Sequence, residues 1–170
     1  ELMFPGNNED EIAIRGTARY IQRLARVSLK TFTPEELKHV DPTKVPIRLV
    51  NTSPGVLDNL KFQSLNLERP GQGHVQIKVS ATGLNFRDVM KAMGIYPSDE
   101  DDHMLLGDEC SGVVSAIGDG VDNVSVGDEV LALAPASFGS FAITRAEFVV
   151  LKPAHLSVED AATIPVAFLT

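Results

Sequence analysis

Val75-Gln76-Ile77-Lys78-Val79-Ser80-Ala81 alternates apolar and polar side chains without a fault. That period of two is the mark of a half-buried β-strand, with Val75, Ile77, Val79 and Ala81 on one face. Beyond Gly83 the period changes. Phe86, Val89, Met90 and Met93 recur at i, i+3, i+4 and i+7, which puts them on one face of a helix that Gly94 can close in the left-handed conformation. A strand feeding a helix through Gly83-Leu84 sets Asn85 and the pair Arg87-Asp88 at the corner. A polar group buried at such a corner needs a partner. Spacing alone favours the plain reading, in which Asn85 caps the helix and Arg87-Asp88 is a surface pair.

Strands dominate on both sides of this corner. Upstream, Ile47–Val50 and Leu60–Leu67 flank the turn Ser53-Pro54-Gly55. Downstream, strands are expected over Ser111–Ile117, Glu129–Leu133, Phe138–Ile143 and Phe148–Leu151, with Gly118-Asp119-Gly120 as a turn. Ser157-Val158-Glu159-Asp160 is a capping-type start, and Ala161 onward reads as a helix running to Thr170. The first 45 residues differ in texture. Arg15, Arg19, Arg23 and Arg26 would form a basic stripe if Ile12–Leu29 were a helix, whereas Ile12, Ile14 and Gly16 fit a short strand equally well; both readings stand open. Thr33-Pro34-Glu35-Glu36-Leu37 looks like a helix start, and Pro42 and Pro46 punctuate a linker. The expected division is a lead-in over 1–45, a β domain over 46–156, and the start of a further helix over 157–170. The expected class is mainly β with few helices.

Composition narrows the function. Among 170 residues, 23 are acidic and 15 basic, for a net charge of −8, which opposes a nucleic-acid role. No apolar run approaches the roughly 20 residues of a membrane span. Glu-Leu-Met-Phe-Pro-Gly at the start lacks the pattern of a signal peptide. One cysteine leaves no internal disulfide and fits a reducing cytoplasm. Catalytic constellations are mostly missing. His39, His74, His103 and His155 lie too far apart for metal-ligand spacing, and neither a Gly-x-Ser-x-Gly elbow nor a Walker lysine loop occurs. Cys110, at the mouth of an apolar strand behind Asp108 and Glu109, reads as a core thiol with a raised pKa rather than a nucleophile. Asp99-Glu100-Asp101-Asp102 reads as a solvated loop.

Taken as a set, the motifs resemble a known family. Ala81-Thr82-Gly83-Leu84-Asn85-Phe86-Arg87-Asp88-Val89-Met90 with Gly94-Ile95-Tyr96-Pro97 looks like the opening signature of the zinc-free medium-chain reductases, and most of all of the enoyl reductase domains of polyketide synthases. Gly107-Asp108-Glu109-Cys110-Ser111-Gly112, Gly118–Val121 and Val126-Gly127-Asp128-Glu129-Val130 continue it in order. Ala161 to Thr170 resembles the family's link into its nucleotide-binding half, and Ile14-Arg15-Gly16 through Arg23-Leu24 the segment that precedes such a domain inside a synthase. The resemblance implies a GroES-like, partly open β-barrel, preceded by the lead-in and ending before a Rossmann domain. No Gly-x-Gly-x-x-Gly occurs in the chain, so the dinucleotide phosphate site lies outside it. Zinc-dependent relatives carry Cys where this chain has Asn85 and Gly-His-Glu where it has Gly107-Asp108-Glu109. Without such ligands no metal site is expected.

By the same resemblance, NADPH delivers hydride to the β-carbon of a 2-enoyl thioester on an acyl carrier protein, and the enolate is protonated at the α-carbon. Tyr96 matches the tyrosine near the α-carbon, a catalytic donor or a determinant of protonation face. Asn85 and Thr170 match positions that approach the nicotinamide end of NADP(H). Arg87 and Asp88 are assigned to locking the corner, and Phe138 and Phe141 to an acyl channel or, for at least one of them, the core. Implied partners are the acyl carrier protein and other synthase domains, with a homodimer left open. Without a cofactor domain the 170 residues alone are expected to be inactive. Two alternatives remain: a non-catalytic GroES-like scaffold module of a megasynthase, and a quinone oxidoreductase-type reductase, which shares Gly94-Ile95-Tyr96-Pro97 but leaves the lead-in of about 45 residues without a purpose.

Overall fold

A computed structural model describes residues 45–97 and 105–169, together with the strand pairing of 12–15 and 18–21. The chain divides into two compact units, Glu1–His39 and Val40–Thr170. In the first, β1 (Ile12–Arg15) and β2 (Ala18–Ile21) form an antiparallel hairpin that pairs Ile12 with Ile21 and Arg15 with Ala18. Of the two readings left open for this stretch, the strand is the one adopted at Ile12 and Ile14. The helix start expected at Thr33–Leu37 lies outside the described residues, as do His39, His103, Asp99–Asp102 and Thr170.

The second unit is built on a five-stranded antiparallel sheet, curled into a half-barrel. Its strands are β5 (His74–Thr82), β6 (Glu109–Ile117), β7 (Glu129–Leu133), β8 (Phe141–Arg145) and β9 (Val149–Leu151), in the order β8-β5-β6-β7-β9. The alternation that identifies β5 sets its inner face: Val75 and Ile77 are fully buried with Cys110, Val114, Val130 and Ala132 from the neighbouring strands. Each such aliphatic side chain contributes roughly 1.5–3 kcal/mol by leaving water. Register irregularities between Gln76 and Ile77 and between Val79 and Ala81 bend β5 against β6 and help the sheet curl. Gln76, on the other face, is also buried at 7 % exposure. Its amide donates to Glu68 O (3.0 Å) and accepts from Ser115 Oγ (2.8 Å), so a polar residue is carried there with a partner at each end of its amide.

A second hairpin, β3 (Ile47–Asn51) and β4 (Leu60–Ser64), closes through the Ser53–Gly55 turn, with Gly55 at φ 97°. It attaches to the segment before β8: Leu49 N donates to Phe138 O (2.7 Å) and Ser140 N to Ile47 O (2.8 Å). This is why the strand expected from Phe138 begins only at Phe141. Similarly, a 3-10 turn over Ala146–Phe148 delays β9 to Val149, and β4 ends at Ser64 rather than Leu67.

Three short helices complete the described part of the unit. In α1 (Phe86–Ala92), Gly94 at φ 67° closes the C-terminus as expected, donating to Lys91 O at 3.0 Å. The helix expected from Ala161 is two: α2 (Val158–Ala162), capped by Ser157 Oγ accepting from Asp160 N at 3.0 Å, and α3 (Ile164–Leu169). The break falls just before Pro165, which has no N–H to continue the ladder.

Candidate functional site

The corner between β5 and α1 is held from inside by acidic side chains. Asp88 is 2 % exposed. One of its oxygens accepts from Asn85 N at 2.9 Å and the other from Gly107 N at 2.8 Å, joining the start of α1 to the entry of β6. The expected surface pair Arg87-Asp88 is therefore not formed. Arg87 reaches instead to Asp108, and Lys91 Nζ, on a side chain only 2 % exposed, comes within 4.0 Å of that same carboxylate. The apolar stripe that identifies α1 is turned outward: Phe86 is 73 % and Val89 42 % exposed, while Asp88, Lys91 and Ala92 are buried. Gly107 has to be glycine here, at φ 94° and with its Cβ position overlapping Ser137 and the Phe138 backbone.

Glu109, also 2 % exposed, ties this corner to α3. Its Oε1 accepts from Asn85 Nδ2 at 2.8 Å and its Oε2 from Val166 N at 2.8 Å. Its backbone carbonyl takes Thr82 Oγ1 (2.7 Å) and Ser137 Oγ (2.9 Å). A Cβ at Gly83 would overlap the carboxylate, so Gly83 is what lets Glu109 lie there. Asn85 thus gives its amide N–H to Glu109, and at the N-cap of α1 it forms the expected cap as a capping box, its side chain on the Asp88 backbone N–H and the Asp88 carboxylate on Asn85 N–H. Next to Glu109, Cys110 is fully buried, and burial, then the Glu109 carboxylate, pushes its thiol from 9.0 up to about 12. It is a core thiol, as its sequence context indicates.

Between this corner and the far end of the sheet lies a cleft of about 720 Å³. Asn85, Phe86, Arg87 and Asp108 form one wall; Leu133-Ala134-Pro135, Ile143–Arg145 and Phe148 form the other; Val166 and Leu169 of α3 stand at its side. An apolar concavity with a few convergent polar groups is the usual form of a small-molecule or cofactor site. Of the three residues singled out from the sequence, Asn85 lines the cleft. Tyr96 is half-buried and does not line it; the Arg87 guanidinium, which does, lies 5.6 Å from the Tyr96 ring centroid and forms a cation–π pair with it. Thr170 follows α3 just outside the described residues. Phe138 and Phe141 are absent from this cleft's walls; Phe141 lines a separate hollow of about 380 Å³ with Arg48, Leu65 and Leu105. No group of three or more His, Cys, Asp or Glu that could hold a metal occurs among the described residues, and none of the helices there is long and apolar enough to cross a membrane.

Glu109 and Asp108 are the site residues that sequence reasoning passed over, weighing them for their effect on Cys110 and as the segment that stands where zinc-dependent relatives carry Gly-His-Glu. Their signal was present: two adjacent carboxylates opening an apolar strand must each find donors, and Asn85 is the obvious donor for one.

Comparisons with known proteins agree with this architecture. Residues 71–154 match the alcohol dehydrogenase GroES-like domain. The chain is 38 % identical, along its whole length, to 8 % of a phenolphthiocerol/phthiocerol polyketide synthase polypeptide of Mycobacterium tuberculosis. The crystal structure of the CurK enoyl reductase superposes with a TM-score of 0.68 at 39 % identity, covering 73 % of this chain and 40 % of that one. An Escherichia coli quinone oxidoreductase complexed with NADPH superposes with a TM-score of 0.63 at 29 % identity, covering 68 % of this chain and 36 % of that one. The chain therefore spans a small part of the curated relative and well under half of the solved reductases.

Proposed function

We propose, for a chain that carries the GroES-like domain of the medium-chain reductases and is homologous to polyketide synthase modules, that it is the substrate-side part of an enoyl reductase. In this reading the α,β double bond of a 2-enoyl thioester, carried by an acyl carrier protein, is reduced without zinc. NADPH supplies the hydride. One observation carries the reading: Asn85, Arg87, Asp108 and Val166, from three separate motif segments of the resemblance, converge on one cleft.

The residues present suit the nicotinamide end of the cofactor. Asn85 is held rigidly at the wall by Glu109, Val166 brings α3 and the approach to Thr170 alongside, and Leu133, Ile143 and Phe148 supply apolar surface against which water is excluded. Asn85 would contact the ribose region and Thr170 the ring. Arg87, set against Tyr96 and Asp108, would orient Tyr96 as a donor near the α-carbon or as a determinant of the protonation face. Zinc independence is supported by the fate of the positions where zinc-dependent relatives keep their ligands: the Asn85 amide is bonded to Glu109 and the Asp108 carboxylate is occupied by Arg87.

NADPH consumption with a short 2-enoyl thioester, by these 170 residues and by the full-length polypeptide, tests this. Turnover by the longer form alone supports a part-enzyme. Silence of both favours the scaffold alternative, and turnover by the 170 residues alone overturns the account of the cofactor site. In the active form, Tyr96→Phe should slow turnover or change the face of α-protonation while hydride consumption persists.

A further inference from the structure

We propose that the hollow lined by Arg48, Leu65, Leu105, Ala136 and Phe141 seats the phosphopantetheine arm that carries the substrate, with the Arg48 guanidinium holding the arm's phosphate. The inference rests on the enoyl reductase reading, in which the substrate is a thioester on such an arm, and adds where the arm lies.

Arg48 projects from β3 and is partly buried, and its Nε is shut off from water without a hydrogen-bond partner. No ion pair reaches it among the described residues. Glu68 lines the same hollow, but it is an exposed residue whose carbonyl serves Gln76. A buried donor left without an acceptor costs free energy. An arginine so placed calls for an acceptor from outside, best an oxyanion that its planar fork can grip. The backbone beside it is strained as well. Ala136, at φ 58°, is the one non-glycine residue with a positive φ among the described residues, and it lines this hollow next to Pro135. Such conformations gather at ligand sites. Pro135 and Ile143 line both this hollow and the main cleft, so the two adjoin. The volume of about 380 Å³ is that of a small-ligand site. Next to its phosphate the arm carries a gem-dimethyl group, for which Leu65, Leu105 and Phe141 supply apolar wall. The acyl tail, the other end of the substrate, brings no negative charge and would leave Arg48 unanswered.

The test uses the full-length polypeptide and calorimetric titration with free phosphopantetheine, pantetheine and inorganic phosphate, the unfolding temperature being recorded for each variant. The unaltered protein should bind phosphopantetheine about tenfold more tightly than pantetheine, and inorganic phosphate more weakly than phosphopantetheine. Arg48→Leu should erase that preference. Arg48→Lys, which keeps the charge but not the fork, should retain a preference of about threefold. Because the fold leaves Nε unpaired, Arg48→Leu should not lower the unfolding temperature. A preference for the phosphate that survives Arg48→Leu overturns the proposal, as does equal binding of phosphopantetheine and pantetheine by the unaltered protein. Inorganic phosphate bound as tightly as phosphopantetheine overturns it too, since the hollow would then be an anion site without a seat for the arm. If Arg48→Leu fails to fold, Arg48→Gln carries the same comparison, and failure of both variants to fold overturns the proposal by making the guanidinium structural. Normal NADPH consumption with binding that ignores Arg48 overturns this inference alone. Arg48-dependent binding of phosphopantetheine without NADPH consumption supports the seat for the arm and overturns the reductase reading.

Discussion

The five-stranded sheet and the corner around α1 bury opposite kinds of side chain. Inside the sheet, Val75, Ile77, Val114 and Val130 are wholly enclosed; Lys78, Glu129 and Arg145 are exposed, and the polar residues buried with the core, Gln76, Ser111 and Thr144, are uncharged. At the corner, Asp88, Lys91 and Glu109 are enclosed, while Phe86, Val89 and Met93 lie on the outer face. The sheet is held by apolar area, which is non-directional and tolerant of changes in shape. The corner is held by charge-assisted hydrogen bonds, which fix atoms at set positions and punish the loss of either partner. A cleft wall that must present Asn85 and Arg87 at fixed orientations gains from the second kind of cohesion. The apolar stripe of α1 is then left available to line the cleft, as Phe86 does.

If the two regions are held so differently, substitutions should separate them. The largest effect is expected at Asp88, whose carboxylate satisfies two backbone N–H groups while buried. Asp88→Ala strands both donors and should lower unfolding free energy by about 4 kcal/mol, at roughly 1.5–3 kcal/mol per charged hydrogen bond. Asp88→Asn, which keeps one acceptor, should lose less. Urea unfolding measures both, and an Asp88→Ala loss below about 1 kcal/mol would mean that packing holds the corner after all. Ile77→Ala, in the fully enclosed sheet core, should cost about 3 kcal/mol by cavity formation. Unlike Asp88→Ala, it should leave ligand binding by the folded fraction unchanged.

Cys110 sits where the two regions meet, and its titration reports on both. Its thiol is pushed from 9.0 up to about 12 by burial and then by Glu109. Between those values the unfolded chain has lost the proton while the folded chain keeps it, so the unfolded state binds fewer protons and stability falls as pH rises. The stabilisation is complete below about pH 9 and is lost as the pH climbs toward 12. Unfolding free energy of the unaltered protein should decline relative to Cys110→Ala by about 1.4 kcal/mol per pH unit over that window. Parallel pH profiles would show that Cys110 ionises freely in the folded protein.

The contrast also explains what the sequence made legible. β5 could be read because Val75, Ile77, Val79 and Ala81 follow a period of two, the pattern that burial against a core imposes. Gly94 and Ser157 could be read because left-handed closure and a hydroxyl cap are local needs. The corner was harder. The stripe Phe86, Val89, Met90 and Met93 identifies α1 as a helix, yet periodicity does not say which face is covered; that depends on Asp88 reaching Gly107 across the chain. Asn85 could be singled out by its place after a strand, but its partner Glu109 owes its position to Val166, 57 residues further on, and no local pattern encodes so distant a contact. The break before Pro165 was legible in the residue itself and was passed over in favour of one continuous helix.

The smallest expected effect is the most pointed. Phe86 begins the stripe that would ordinarily be the buried face of an amphipathic helix, and by that rule Phe86→Ala should cost about 3–5 kcal/mol. In the structure its side chain is 73 % exposed and stands at the cleft. Removing it should therefore change unfolding free energy by no more than about 0.5 kcal/mol, the usual range for surface positions. The same substitution takes away apolar wall beside Asn85 and Arg87, so ligand binding in the full-length polypeptide should weaken while the fold does not. A large stability loss would place the stripe in a core, and the division between an apolar sheet and a polar corner would fail at the residue where it is most exposed to test.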